Sequence, residues 1–342
     1  MNAWMTEPSQ ALRLLTGIAL FLFGMTLMGD GLRAASDGRL EPVLYRLSNT
    51  TWKGVLLGTA VTAVLQSSCA TSAMAVGFVN AGMMKPRQAV GVILGSILGT
   101  SVTGWIICLG YAGGGGMIGE LLSARTLACL AAAVGAVLRI SGRDGARRWA
   151  GDVLMGFAVL MAGLAVMSAA AESLGSQPWF TGAMRSMTNP VAGAVIGGVI
   201  SVVLQSASAA VGVMQALSVT GAVTGGMALP LLLGIAVGAG VPVLFAAIGA
   251  GAEARRTAYV YIIAAGMGAF LVGGAFYAVH LFAGFGFMDE AVDPQSIALM
   301  NTLLRLAMLL VLIPMAGLPE RTARALVPDN PRRKSRAPKT AA

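Results

Sequence analysis

The sequence predicts an all-α integral membrane protein made of two inverted-topology repeats, each with a re-entrant helical hairpin, plus about seven full crossings. Three observations carry that expectation. The composition demands lipid contact, the charged loops fit consistent sides only if two apolar stretches enter and leave by one face, and the chain repeats itself at a fixed offset.

Of 342 residues, 56% are apolar and only 11% charged, with a mean hydropathy of +0.79. A soluble domain carries roughly 25% charged residues, so much of this surface has to face lipid. The 46 glycines would weaken helices in water but suit membrane helices that pack closely. A disordered, collagen-like or nucleic-acid-binding chain is excluded, although the net charge is +9. Much of that charge lies beyond Leu318, where Arg321, Arg324, Arg332, Arg333, Lys334, Arg336 and Lys339 face only Glu320 and Asp329. With Pro319, Pro328, Pro331 and Pro338, this reads as a basic, unpacked cytoplasmic tail over 319–342. Cys69, Cys108 and Cys129 sit in apolar stretches without metal-ligand spacing and read as small buried hydrophobes. The first apolar run lacks a basic start and a small-residue cleavage site, so no cleavable signal is expected.

Apolar stretches run over 12–32, 54–80, 89–111, 121–140, 153–171, 191–217, 229–249, 258–282 and 296–317. Each is near the ~20 residues a spanning helix needs. If the basic tail is inside, the loop with Asp289, Glu290 and Asp293 is outside and the Arg255–Arg256 turn inside. The turn with Arg139, Arg143, Arg147 and Arg148 also belongs inside. Three stretches separate those two inside turns, and three crossings cannot return a chain to the same side. The same conflict surrounds 54–80. Making 54–80 and 191–217 re-entrant resolves both, with the N-terminus outside and the C-terminus inside.

An offset of 139 residues aligns Gly17, Gly24 and Met28 with Gly156, Gly163 and Met167. It also aligns Val64-Leu65-Gln66-Ser67 with Val203-Leu204-Gln205-Ser206, and Leu94-Gly95 with Leu233-Gly234. Only seven glutamines exist in the chain, so the Gln-Ser coincidence is specific. The units start with crossings of opposite sense, which makes them inverted copies, an arrangement found in secondary transporters. The expected organisation is a first repeat over 1–150, a second over 151–285, an extra spanning helix over 286–318, and the tail.

Both re-entrant stretches centre on Gln-Ser. Backbone that unwinds at membrane depth is tolerated where it lines a cavity or is buried in protein. There, helix N-termini offer free N–H groups to an oxyanion, and Ser, Thr and Gln oxygens can ligate a hard cation. Neither segment holds a Lys or Arg. Neutral dipoles alone leave a dianion's charge unbalanced in a low dielectric, so co-bound cations would stabilise the loaded site.

These residues resemble the sodium-dependent phosphate cotransporters, the bacterial and animal type II sodium/phosphate symporters. The resemblance rests on Leu20-Phe21-Leu22-Phe23-Gly24-Met25, on Leu57 through Ser68, and on Gly77-Phe78-Val79-Asn80-Ala81-Gly82. It extends from about Gly17 to Pro314, strongly in the first repeat and weakly in the second. By this resemblance Gln66, Ser67, Ser68, Thr71, Gln205, Ser206 and Ser208 contribute to phosphate and sodium sites, with sodium at Gln66, Ser68, Gln205 and Ser208. It implies a multi-pass protein of the bacterial inner membrane that moves inorganic phosphate with sodium as coupling ion. No other cofactor and no nucleic acid is implied, and two copies could pair as a homodimer.

The sequence departs from the family pattern at several positions. Cys69 stands for the third serine of the first motif and Ala207 interrupts the second. Ile97 replaces an asparagine in Gly95-Ser96-Ile97-Leu98-Gly99-Thr100-Ser101, and Gly234 through Gly240 has lost asparagine and both threonines. Fewer oxygens remain for sodium; Thr100, Ser101 and Thr103 keep their hydroxyls as candidates. Arg305 lies mid-span in Asn301-Thr302-Leu303-Leu304-Arg305, where an ion is expensive. It either replaces a lost sodium site with a fixed charge or pairs structurally with helix-end carbonyls. The rival functions are export or transport of another small anion with weaker sodium dependence, and a non-transporting partner or sensor. An intramembrane enzyme is the least expected, because no carboxylate, histidine or cysteine pair converges at membrane depth.

Overall fold

The structure, a computed structural model, describes residues 7–36, 42–44, 50–111, 123–141, 145–175, 177, 182 and 186–328. The Gly113–Gly116 run, parts of the charged loops and the tail from 329 onward lie outside the described residues. Nearly everything described is helical, in the order α1 (Glu7–Ala35), α2 (Thr51–Leu65), α3 (Ser68–Asn80), α4 (Pro86–Gly99), α5 (Ser101–Cys108), α6 (Ala124–Ser141) and α7 (Gly145–Gly175). There follow α8 (Pro190–Val203), α9 (Ala207–Ser218), α10 (Gly225–Gly238), α11 (Val241–Ala246), α12 (Ala252–Ala283), α13 (Pro294–Leu312) and α14 (Gly317–Leu326).

Six of these segments are long and apolar enough to cross a membrane, counting α4–α5 and α10–α11 as continuous spans; a bent pair, α8 with α9, would make a seventh. The expected crossing over 121–140 is the 18-residue α6, which is not among the six. Large apolar side chains such as Ile140, Val203, Phe270, Leu281 and Phe282 stand exposed on the outside of the bundle, the inverse of a soluble fold.

Helix bounds recur at the sequence offset. Thr51, Ser68 and Pro86 open α2, α3 and α4 as Pro190, Ala207 and Gly225 open α8, α9 and α10. The packing recurs too. A Cβ at Gly58 would overlap the Val92 carbonyl and one at Gly95 the Val55 carbonyl; one at Gly197 would overlap that of Leu231 and one at Gly234 that of Ala194. These are the same pairs shifted by the offset, so glycine brings α2 onto α4 and α8 onto α10 at backbone contact. Between the halves, α1 lies on α7 with Gly17 against Gly163 and Gly24 against Gly156. Contacts that run down one helix as they run up the other make the pair antiparallel.

Several expectations need correction. The 150/151 boundary expected between the repeats falls inside α7. The chain does not unpack at Pro319, and the 318/319 boundary cuts α14, where Pro319 and Ala323 are buried. Proline costs little in a first helical turn, whose N–H groups lack helical partners anyway. Arg256 is not in a loop but in the first turn of α12. It is buried, with Nε donating to the Val327 carbonyl at 2.8 Å and Nη1 paired to Glu253 at 2.5 Å, so it ties α12 to the end of α14. Cys129 is exposed, Cys69 partly so, and only Cys108 is buried.

Candidate functional site

Each Gln-Ser pair forms a sharp break between two short helices; α8 and α9 meet at 120°. Gln66 and Gln205 have φ of 53° and 51°, and they are the only non-glycine residues with positive φ among those described. The left-handed region costs an ordinary L-residue roughly 1–2 kcal/mol, so two such glutamines at one offset mark a retained geometry. The following serine caps the next helix: Ser67 Oγ accepts from the Ala70 amide at 3.1 Å and Ser206 Oγ from the Ala209 amide at 3.2 Å. The other first-turn amides, of Ser68 and Cys69 and of Ala207 and Ser208, have no acceptor within their own helices.

The two breaks lie beside successive turns of α1. The Ser208 hydroxyl donates to Met25 Sδ at 3.4 Å, and Gly29 presents its open face to the Leu65 carbonyl. Four residues of helix separate those contacts, about 6 Å of rise. Both breaks therefore lie against α1, about one turn apart along it.

Around the first break the polar groups interlock. Gln66 is buried; its amide donates to the Ala63 carbonyl and its Oε1 accepts from Thr103 at 2.7 Å. Thr62 donates to Thr71 at 2.9 Å, and Thr71 to the Ser67 carbonyl. Ser72 and Ser96 share a 2.9 Å bond, and Thr100 donates to the Ser96 carbonyl. Ser68 accepts from the Tyr261 hydroxyl at 3.4 Å. Around the second break little of this survives. Ser206 and Ser208 lie 3.1 Å apart, while Gln205 is exposed and its side chain has no hydrogen bond among the described residues.

Arg305 is 1% exposed. Its Nε donates to Asn301 at 2.7 Å and its Nη1 to the Ile97 carbonyl, in the last turn of α4, at 2.9 Å. The structural role envisaged for it, meeting a helix-end carbonyl, is thus present, but it leaves Arg305 Nη2, Asn301 Nδ2 and the Ser101 hydroxyl buried with no partner among the described residues.

Three more buried polar residues, Asn301, Tyr261 and Gln215, stand outside the set of site residues expected from the sequence. Gln215 is fully buried and donates to the Pro294 carbonyl at 2.9 Å and the Gly104 carbonyl at 3.2 Å, which binds α9 to α5 and α13. A scarce glutamine inside an apolar run was the available signal. Tyr261 had none. Among the described residues no three His, Cys, Asp or Glu side chains cluster to hold a metal.

Residues 20–169, a little under half of the chain, match the Na+/Pi-cotransporter family, which bears out the resemblance read from the motifs. The Bacillus subtilis protein YqeW, itself uncharacterised, is 24% identical over 91% of this chain and 96% of its own length. YjbB of Salmonella typhimurium, named as a candidate inorganic phosphate export protein, is 24% identical over 94% of this chain but only 56% of its own. The sheep sodium-dependent phosphate transport protein 2A is 30% identical over 29% of this chain and 16% of its own length. The chain thus spans about half of the YjbB relative and a small part of the mammalian one. No solved structure matches the chain.

Proposed function

We propose that this chain is a secondary transporter that moves inorganic phosphate across the membrane by alternating access around the two Gln-Ser breaks. The observation that carries the reading is the recurrence of a left-handed glutamine and a serine-capped helix at one offset, with both breaks beside α1. The antiparallel α1–α7 contact supports reading the halves as inverted-topology repeats, with α2–α3 and α8–α9 as re-entrant hairpins. In such a pair one exchange of conformations between the halves exposes the shared site first to one side and then to the other.

In this reading the Ser68 and Ser101 hydroxyls, the two glutamines and the first-turn amides of α3 and α9 offer the anion neutral donors, while Thr71, Thr100 and Ser208, whose protons are given within the protein, line the site and turn to it only as the breaks rearrange. The caps Ser67 and Ser206 hold those helices open-ended towards it. Sodium, where it couples, takes oxygens of Gln66, Ser68, Gln205 and Ser208. The match to the Na+/Pi-cotransporter family and the names of the phosphate-moving relatives support the cargo. The YjbB name favours export, and the prevailing gradients set the direction. The membrane is the bacterial inner membrane.

The test is flux of inorganic phosphate in proteoliposomes, with and without a sodium gradient, for the native chain and for Gln66→Ala combined with Gln205→Ala. Phosphate flux by the native chain that disappears in the double variant is the expected result. A native chain that carries no phosphate under either gradient overturns the reading.

A further inference from the structure

The α13 helix runs antiparallel to α4–α5, and its polar face meets the break between those helices. Ile97 accepts from Arg305 at one end of the contact. About two turns further along α4–α5, Trp105 donates to Thr302 at 3.0 Å, and the open face of Gly104 lies on Ala298. That register sets Ser101 at the level of Asn301. Three orphaned polar atoms, Arg305 Nη2, Asn301 Nδ2 and Ser101 Oγ, therefore belong to one seam, on residues 1%, 1% and 3% exposed.

Two of the three are donors that no oxygen among the described residues satisfies, and the third can donate. Among the described residues, no carboxylate stands within ion-pairing distance of Arg305. A guanidinium enclosed without a counter-charge is costly, and unmet donors beside it add to the cost. An oxyanion relieves both, since it supplies the missing charge and several acceptor oxygens together. The seam also adjoins the first Gln-Ser break, because Thr103, two residues beyond Ser101, holds Gln66.

We infer that Arg305, Asn301 and Ser101 form an oxyanion-binding pocket beside the first Gln-Ser break, and that its built-in cation supplies the charge a coupling sodium would otherwise bring. The inference rests on the transport reading and deepens it: phosphate binds this chain without sodium.

The experiment measures the melting-temperature shift of the purified full-length chain over a titration of inorganic phosphate, with sulfate as a second probe. Each titration is made in sodium and in choline buffer. The native chain is stabilised by phosphate equally in both buffers. Arg305→Gln weakens phosphate by about tenfold or more in choline, the worth of a hydrogen bond to a charged group, and Arg305→Lys recovers part of the loss. Ser101→Ala, which deletes a hydroxyl bonded to nothing among the described residues, melts like the native chain alone yet binds phosphate more weakly; this variant decides the matter if Arg305→Gln does not fold.

Native binding that requires sodium overturns the inference, as does phosphate binding unaffected by Ser101→Ala and by whichever Arg305 variants fold. In either case the transport reading survives. Stabilisation by sulfate through Arg305, without any by phosphate, overturns the phosphate cargo and upholds the pocket. A native chain that answers to neither anion overturns both.

Discussion

The two Gln-Ser breaks share a backbone and differ in nearly everything attached to it. In the first half Thr103 holds Gln66 by a 2.7 Å bond; the residue at the matching place in the second half is Pro242, which has no hydroxyl, and Gln205 stands exposed. Thr62 and Thr71 bond each other in the first half. Their counterparts are Ser201 and Ala210, and the Ser201 hydroxyl is left buried and unpaired among the described residues. The Ser72–Ser96 bond becomes Val211 and Ile235, both in the apolar core. Thr100 and Ser101 become Ala239 and Gly240. The turn geometry therefore does not depend on the side-chain network. Glycine contacts and serine caps hold it in both halves, while the first half alone keeps a dense polar lining.

The comparison breaks most sharply at the glycines. Gly95→Leu and Gly234→Leu each drive a side chain into a backbone carbonyl of the neighbouring helix, and both are expected to cost on the order of 3 kcal/mol or more. Size-exclusion profiles of detergent-extracted protein should show loss of the monodisperse species for both. A tolerated leucine at either position would mean the halves are not held alike.

Next in size is the single-glutamine pair. Phosphate flux should fall about tenfold or more in Gln66→Ala and only a few-fold in Gln205→Ala, since tenfold corresponds to about 1.4 kcal/mol of lost stabilisation. Equal losses would show that the exposed glutamine contributes as much as the enclosed one.

Thr103→Val removes the latch and leaves Gln66 Oε1 enclosed without a donor, at a cost of about 1–3 kcal/mol. The apparent Tm should drop, and Pro242→Thr in the other half should not reproduce that drop. Smallest is the threonine pair. Thr62→Val should cost about 1 kcal/mol, whereas Ser201→Ala, which removes an already unpaired hydroxyl, should be neutral or slightly stabilising. Thermal unfolding of the two variants side by side reads the difference.

The features legible in the sequence are those fixed by local chemistry. Gln-Ser at one offset gave the breaks, and the recurring glycines gave the helix contacts. An ionisable residue amid leucines gave Arg305. Other features depend on what comes from elsewhere in the chain. Tyr261 is one tyrosine in an apolar helix until folding places Ser68 opposite it. Asn301 is the i,i+4 neighbour of Arg305, but its place beside Ser101 follows only because α13 lies antiparallel to α5, an alignment no pattern along the chain announces. Prolines near the end argued for an unpacked tail, but Pro319 occupies the one part of a helix where its missing N–H does no harm. Loop charges misplaced Arg256, because the Val327 carbonyl that receives it is 71 positions away.

The meeting of α1 with α7 has the form of an isologous interface, in which each surface touches the image of itself. Two separate half-length chains, one inserted opposite to the other, would make the same Gly17–Gly163 and Gly24–Gly156 contacts without any covalent link. Fusion into a single polypeptide removes the requirement that both partners stay identical. One can then lose its hydroxyls, as at Ala210, Ala239 and Pro242, while the seam that joins them stays self-complementary.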